Sequence, residues 1–254
     1  VAFTGSEAAG RKVAALAGQH LKKVVLELGG SDPFVVLADA DIDAAVEVAL
    51  RSRFGNAGQT CVAAKRFILV ESIAEAFIEK MKQGAEALKA GDPQAEDTGM
   101  APMVRADLRL KLQQQVSASI DAGAKPLTGC ELPLGQGYFY PASILDQVEP
   151  GMTAFDEEIF GPVAAIIRAR DEAHAIELAN QTRFGLGASI WTADTERGEQ
   201  LARQIEAGNC FINALVASDV RMPFGGIKAS GLGRELASFG VLEFCNIKSI
   251  WNGG

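Results

Sequence analysis

Two residues in this sequence are placed to do chemistry together, a thiol and a carboxylate. Cys61 lies in FGNAGQTCVAAKRF, residues 54 to 67, among glycines, alanines and two amides. A thiol among small residues is commonly a buried hydrophobe. Here Gln59 and Thr60 put polar groups directly before it, and Gly55 and Gly58 permit backbone turns closed to other residues. The pattern reads as a loop that delivers a nucleophilic side chain, with N–H groups at a helix start expected to help it ionise. Its base has to be a carboxylate: His20 ends an Ala-rich helix and His174 sits in a charged one, and both read as surface residues. Glu27, in the apolar run LELGG, is the candidate, because burial raises a carboxyl pKa toward the range where it can activate water. Strand alternation alone also allows an edge-strand glutamate facing solvent.

Three further stretches are unusual. EEIFGPV, residues 157 to 163, puts paired carboxylates before an aromatic residue and a Gly-Pro turn. PFGGIKASGLGRE, residues 223 to 235, is a Gly-rich loop without a Walker or GxGxxG pattern. TGSEAAG has the form of a strand, a turn and a helix start, a place where a pyrophosphate can sit. The four cysteines, at 61, 130, 210 and 245, form no CxxC pair, so neither a zinc site nor a disulfide framework is expected.

The elements that must position these residues alternate between β-rich runs and helical patterns, the signature of an α/β fold with a mostly parallel sheet flanked by helices. Strands are expected at VAFTGS, KVVLELGG, PFVVL and RFILV and over residues 163 to 167, 187 to 191 and 209 to 213. Helices are expected over 7 to 20, after Asp41, after a Ser72 cap, and over 103 to 122, 171 to 181 and 194 to 206. The helix after Ser72 should stop at Gly91, Asp92 and Pro93. A net charge of −8 and a pI of about 4.9 argue against a nucleic-acid or anionic-membrane partner. No apolar run reaches the roughly 18 residues of a membrane helix and no signal peptide is evident, so cytoplasm is the expected location.

In this order, LELGG, FGNAGQTC, EEIFGPV and PFGGIKASGLGRE resemble the NAD(P)-dependent aldehyde dehydrogenase superfamily over nearly the whole chain. The 34 positions from Glu27 to Cys61 and the 97 from Cys61 to Glu158 agree with the family pattern. SDVRMPFGG and the EFCNIKSIWN ending are most similar to its succinate-semialdehyde branch.

The resemblance implies a Cys61 nucleophile and a Glu27 base, with NAD or NADP as cofactor and a small aldehyde as substrate. It places Gly5 and Ser6 at the pyrophosphate, Leu28 and Gly29 at the nicotinamide end, Glu158 on the ribose and Phe160 near the ring. Thr60, Val62 and Phe224 would line the aldehyde pocket, Ser218 and Arg221 would meet a substrate carboxylate, and Glu235 would join a water relay from Glu27. Residues 1–31 would be the tail of a Rossmann-like dinucleotide domain and 32–230 the catalytic domain. Residues 231–254 would be a returning helix and a strand that pairs in a homo-oligomer, a dimer or tetramer. The chain, opening on a strand with no initiating Met, is expected to be part of a longer enzyme. Two alternatives remain: an assembly fragment with a reactive thiol and no turnover, and a CoA-acylating dehydrogenase.

Overall fold

The runs rich in Val, Ile and Phe do form strands, and the computed structural model, which describes residues 1–254, sorts them into two sheets. The larger contains β3 (Pro33–Val36), β4 (Arg66–Val70), β5 (Lys125–Thr128), β6 (Ser143–Asp146), β7 (Val163–Ala169), β8 (Gly187–Trp191) and β9 (Asn209–Ile212), in the order β5-β6-β7-β4-β3-β8-β9. Only β5 and β6 pair antiparallel; every other ladder is parallel. All residues of β3, β4 and β8 are buried, which is why these strands show no alternation: helices cover both faces.

On one face α2 (Ile42–Phe54) and α3 (Glu71–Ala87) bury Ala45, Ala49, Ile73, Phe77 and Met81 against Phe34, Phe67 and Trp191. The Phe34 and Trp191 rings stack at 5.3 Å. On the other, α4 (Ala106–Asp121), α6 (Glu172–Asn180) and α7 (Thr195–Ala202) contribute Val116, Leu178 and Leu201 to a cluster with Ile68, Ile167 and Ile190. A single turn, α5 (Thr153–Asp156), precedes the EEIFGPV stretch.

The smaller sheet has β2 (Val25–Glu27) in its centre, parallel to β1 (Ala2–Thr4) and antiparallel to β10 (Gly231–Leu232). Helix α1 (Glu7–Gln19) links β1 to β2. The two sheets meet at residues 28 to 32. There the Leu28 N–H donates to Ser230 O at 3.0 Å and the Ser230 hydroxyl donates to Gly29 O at 2.7 Å.

Several expectations are corrected. Ser72 caps nothing: α3 starts at Glu71, one residue ahead of the expected cap, behind an extended Val70 with no side-chain cap. It ends at Ala87, ahead of the Gly91-Asp92-Pro93 breaker. Helix α7 is shorter than its pattern, and β5 and β6 were not expected at all. EFCNIKSIW, whose strand is expected to pair across a homo-oligomer, has no regular structure in the single chain after α8 (Ala237–Glu243), and Ile247, Ile250 and Trp251 are exposed. A strand needs a neighbour for its N–H and C=O groups, and this segment has none within the chain.

Candidate functional site

Glu27 occupies the central strand of the small sheet, opposite Thr4 on one side and Gly231 on the other, so the edge-strand alternative fails. It is 5% exposed and its Oε1 has no hydrogen-bond partner. Burial pushes its carboxyl up to about 7, with the Glu235 charge adding to the rise and Arg234 opposing it. The Gly-rich loop closes over it: a side chain on Gly225 would run into the Glu27 carboxylate. The same loop is pinned to the Glu235 segment by paired hydrogen bonds, Phe224 N–H to Glu235 O at 2.8 Å and Glu235 N–H to Phe224 O at 2.7 Å. Glu27, Phe224 and Glu235 are thereby brought together from three parts of the chain.

Cys61 sits in a turn between a short 3-10 segment, Gly55–Gly58, and β4. The left-handed backbone there is carried by Asn56 (φ 52°), Ala57 (φ 51°) and Gly58 (φ 69°), while Gly55 takes an ordinary φ of −54°. Only Gly58 among them needs to be glycine for space, since a Cβ would strike Gly161 O. Ala57 in this region costs on the order of 1 kcal/mol, held by its surroundings. Gln59 explains part of that hold: its side chain donates to Asn56 O at 3.1 Å and accepts from the Val104 N–H at 3.0 Å.

No helix starts at Cys61, so the expected help does not come from a helix; the Val62 and Cys61 backbone N–H groups of the turn supply what there is, favouring the thiolate. The thiol is half-buried and its pKa is raised, first by burial and then by the Asp32 and Glu27 charges. Its carbonyl packs against Gly30, where a Cβ would collide with it, three residues from Glu27.

A cavity of about 720 Å³ lies where α1 starts, lined by Ser6 and Glu7, Lys111 of α4, Asp156, Glu157 and Glu158, and Arg183; neither Cys61 nor Glu27 is on its wall, and Glu158 is what joins it to the Glu27 segment. The first-turn N–H groups of α1 have no acceptor within the helix, apart from Ala9 N–H, which meets the Ser6 hydroxyl at 3.4 Å. Glu158 reaches back to the Glu27 segment, accepting from the Gly30 N–H at 3.0 Å, and a Cβ on Gly29 would fill the space its carboxylate occupies. Burial raises the Glu158 pKa, opposed by that N–H and by Lys111, Lys65 and Arg53. Leu28 is buried, and Gly5 and Ser6 are exposed where β1 passes into α1. Phe160 is 39% exposed, Val62 half-buried and Thr60 exposed. Ser218 and Arg221 lie on an exposed segment, where the Arg221 guanidinium is already engaged by Asp219 in a local two-bond pair.

Residues the sequence reading passed over surround the site. Asp32 is fully buried, accepts from the Gly187 N–H at 3.0 Å, and is pushed by burial to about 7. Arg53 donates to Gly58 O at 2.7 Å, fixing the turn before Cys61. Arg66 donates to Ser31 O, Leu178 O and Ala179 O, fixing the chain just after Glu27. For Arg66 the signal was a charge at the head of the apolar run RFILV; Asp32 and Arg53 lie outside it, in SDPF and RSRF. Both histidines lie outside this group of residues, as expected: His20 is exposed at the end of α1, and His174 accepts from the Arg170 N–H. All four cysteines are free, no His, Cys, Asp or Glu cluster suits a metal, and no helix is long and apolar enough to cross a membrane.

Comparison with known proteins bears on the whole arrangement. The model of the aldehyde dehydrogenase family matches residues 1–250. Succinate semialdehyde dehydrogenase [NAD(P)+] of Escherichia coli K12 is 53% identical over 99% of this chain and 54% of its own length. Succinate-semialdehyde dehydrogenase [NADP(+)] 1 of Mycobacterium ulcerans is 46% identical over 99% of this chain and 55% of its own. The crystal structure of succinic semialdehyde dehydrogenase from Streptococcus pyogenes, a complex with NADP+, superposes with a TM-score of 0.96 at 38% identity. It covers 99% of this chain and 55% of its own. The chain thus spans about half the length of the curated relatives it matches.

Proposed function

Because the chain belongs to the aldehyde dehydrogenase family, we propose that it oxidises an aldehyde, succinate semialdehyde by preference, to the acid with NAD or NADP. The observation that carries this reading is Glu27, a buried carboxyl with an unpartnered oxygen beside the Cys61 turn.

In this mechanism the Cys61 thiolate attacks the aldehyde carbonyl, and the Cys61 backbone N–H donates to the developing oxyanion. The dinucleotide, when bound, supplies a nicotinamide ring that accepts hydride from the thiohemiacetal carbon, leaving a thioester on Cys61. Glu27 then takes a proton from water as it attacks the thioester, and Glu235 passes that proton outward. A carboxyl titrating near 7 suits both halves: protonated, Glu27 no longer raises the thiol pKa; ionised, it is a base. That placement also favours hydrolysis over transfer to CoA.

The cavity at the N-terminus of α1, with Lys111 and Arg183 on its wall, supports a place there for the cofactor's diphosphate and ribose. Gly5 and Ser6 meet the diphosphate at the N-terminus of α1, Glu158 holds the nicotinamide ribose, Leu28 and Gly29 border the nicotinamide end and Phe160 packs near the ring. Thr60, Val62 and Phe224 border the aldehyde. Arg221, with Ser218, would meet the substrate carboxylate by exchanging Asp219 for it. Residues 1–31 and 32–230 act as the cofactor and catalytic portions, and the apolar surface of 231–254 supports assembly into a homo-oligomer.

The test is the appearance of NADH or NADPH when the protein meets succinate semialdehyde and each dinucleotide in turn. Turnover with either is expected. Stoichiometric labelling of Cys61 without oxidation would overturn the reading and leave a thiol-bearing assembly unit in its place.

A further inference from the structure

One fully buried charge remains without a role. Lys65 is 1% exposed and lies four residues after Cys61, at the entrance to β4. Its ammonium donates to Phe155 O at 2.9 Å and to Glu157 O at 2.6 Å, on either side of the end of α5. Residues 157 to 162 beyond it have no regular structure, so side chains must hold them. Gln115 supplies the other hold, donating to the Glu157 carboxylate at 2.8 Å and to Glu158 O at 3.1 Å. Glu158 in turn reaches Gly30.

We propose that Lys65 is a positioning residue that ties the segment carrying Glu158 to the loop carrying Cys61, fixing the ribose-holding carboxylate relative to the nucleophile. A structural lysine would be replaceable by any residue that fills the space. This one sits where burial and the neighbouring Arg66 and Arg53 charges push its pKa well down, an unfavourable place for an amine whose only task is packing. What it gains there is two carbonyls that flank the end of α5, Phe155 O in the helix and Glu157 O at the start of the irregular segment. Arg53 and Arg66 hold the Cys61 turn and the Glu27 exit in the same manner, so the three cations fix three separate strands of the site.

The inference rests on the dehydrogenase reading for its functional consequence, but its geometry is tested apart from turnover. Hydrogen exchange is followed by mass spectrometry in the wild type, in Lys65→Met, which keeps the volume and removes the donor, and in Lys65→Gln, which keeps one donor on a shorter arm. In Lys65→Met, exchange is expected to rise about tenfold or more over 157–160 and at Gly30, with β7 and β8 unchanged, and Lys65→Gln to fall between. In the active protein the dinucleotide KM rises by roughly fivefold or more while kcat falls less, because the carboxylate is misplaced rather than lost. Unchanged exchange at 157–160, or an equal rise throughout the chain, overturns the proposal. If Lys65→Met does not fold, Lys65→Gln alone decides by the same readout. A local rise in a protein without dinucleotide turnover supports the clamp and removes the dehydrogenase reading.

Discussion

The two sheets of this protein solve the same problem to different degrees. The seven-stranded sheet is covered on both faces and its central strands are buried without exception. The three-stranded sheet is thin: β1 is largely exposed, α1 shows Leu16 to solvent, and α8 and the tail expose Phe239, Val241, Leu242, Phe244, Ile247, Ile250 and Trp251. The proposed assembly would bury these exposed apolar side chains. The catalytic candidates straddle the divide, Cys61 fixed to the large sheet through β4 and Glu27 carried by the small one. The candidate nucleophile is set by the larger core, whereas the candidate base depends on the 28–32 crossing and on the loops that close over it.

The largest effects separate these two residues. Cys61→Ala is expected to abolish the proposed aldehyde oxidation altogether. Glu27→Gln keeps a burst of reduced dinucleotide close to one per site and slows the steady state by about a hundredfold or more, the usual contribution of a general base. Rapid-mixing absorbance measures both. Loss of the burst in Glu27→Gln would assign Glu27 to thiol ionisation instead of water activation.

A second contrast concerns stability. Phe67→Ala, in β4, empties a fully buried site and should cost about 3 to 5 kcal/mol in denaturant unfolding. Phe239→Ala, on the exposed face of α8, should stay within about 0.5 kcal/mol yet reduce self-association in sedimentation. A large loss of stability in Phe239→Ala would mean that the small sheet is held from within after all.

Much of this was legible in the sequence, for a physical reason that also marks where legibility ended. Strands buried on both faces write themselves as apolar runs, and PFVVL, RFILV and the 187–191 run were read correctly for that reason. Glu27 was legible because a charge inside such a run has to be explained. Lys65, Arg66 and Asp32 broke the pattern in the same way but sat at strand entrances, where charge is ordinary. The turn before Cys61 was attributed to its glycines, whereas Asn56 and Ala57 bear the left-handed geometry, which long-range contacts such as Gln59 to Val104 impose. Whether EFCNIKSIW becomes a strand is decided by pairing, and no partner strand lies in this chain.

pH sharpens the comparison next, because each sheet contributes one perturbed carboxyl. Glu27 and Asp32 are both held near 7, well above the ordinary carboxyl range, mainly by burial. A carboxyl whose folded pKa is raised binds its proton more tightly in the folded state. Its stabilisation is complete below the unfolded pKa near 4 and is lost as pH climbs through about 7, on the order of 3 kcal/mol each. Unfolding free energy should therefore fall between pH 4.5 and 7, and Asp32→Asn should flatten the large-sheet part of that slope. The same substitution removes one of the charges that hold the Cys61 thiol up, so alkylation of Cys61 should begin at lower pH than in the wild type. An unchanged alkylation profile would place Asp32 too far from the sulfur to matter.

The smallest effect on stability discriminates best between packing and function, since it compares a helix cap from each sheet. Asp41 accepts from the Ala44 N–H at 3.1 Å at the head of α2, whose body is packed into the large core. Asp41→Ala should cost about 1 kcal/mol and leave cofactor affinity alone. Ser6 caps α1 with a longer contact, 3.4 Å to the Ala9 N–H, on a helix that is mostly exposed. Its replacement by Ala should cost only a few tenths of a kcal/mol, toward the low end of capping effects. If Ser6 also meets the dinucleotide diphosphate, Ser6→Ala raises the cofactor KM several-fold at almost unchanged stability, the reverse of what Asp41→Ala does. Equal cofactor affinity in the two variants would reduce Ser6 to a weak cap and move the diphosphate elsewhere along the cavity.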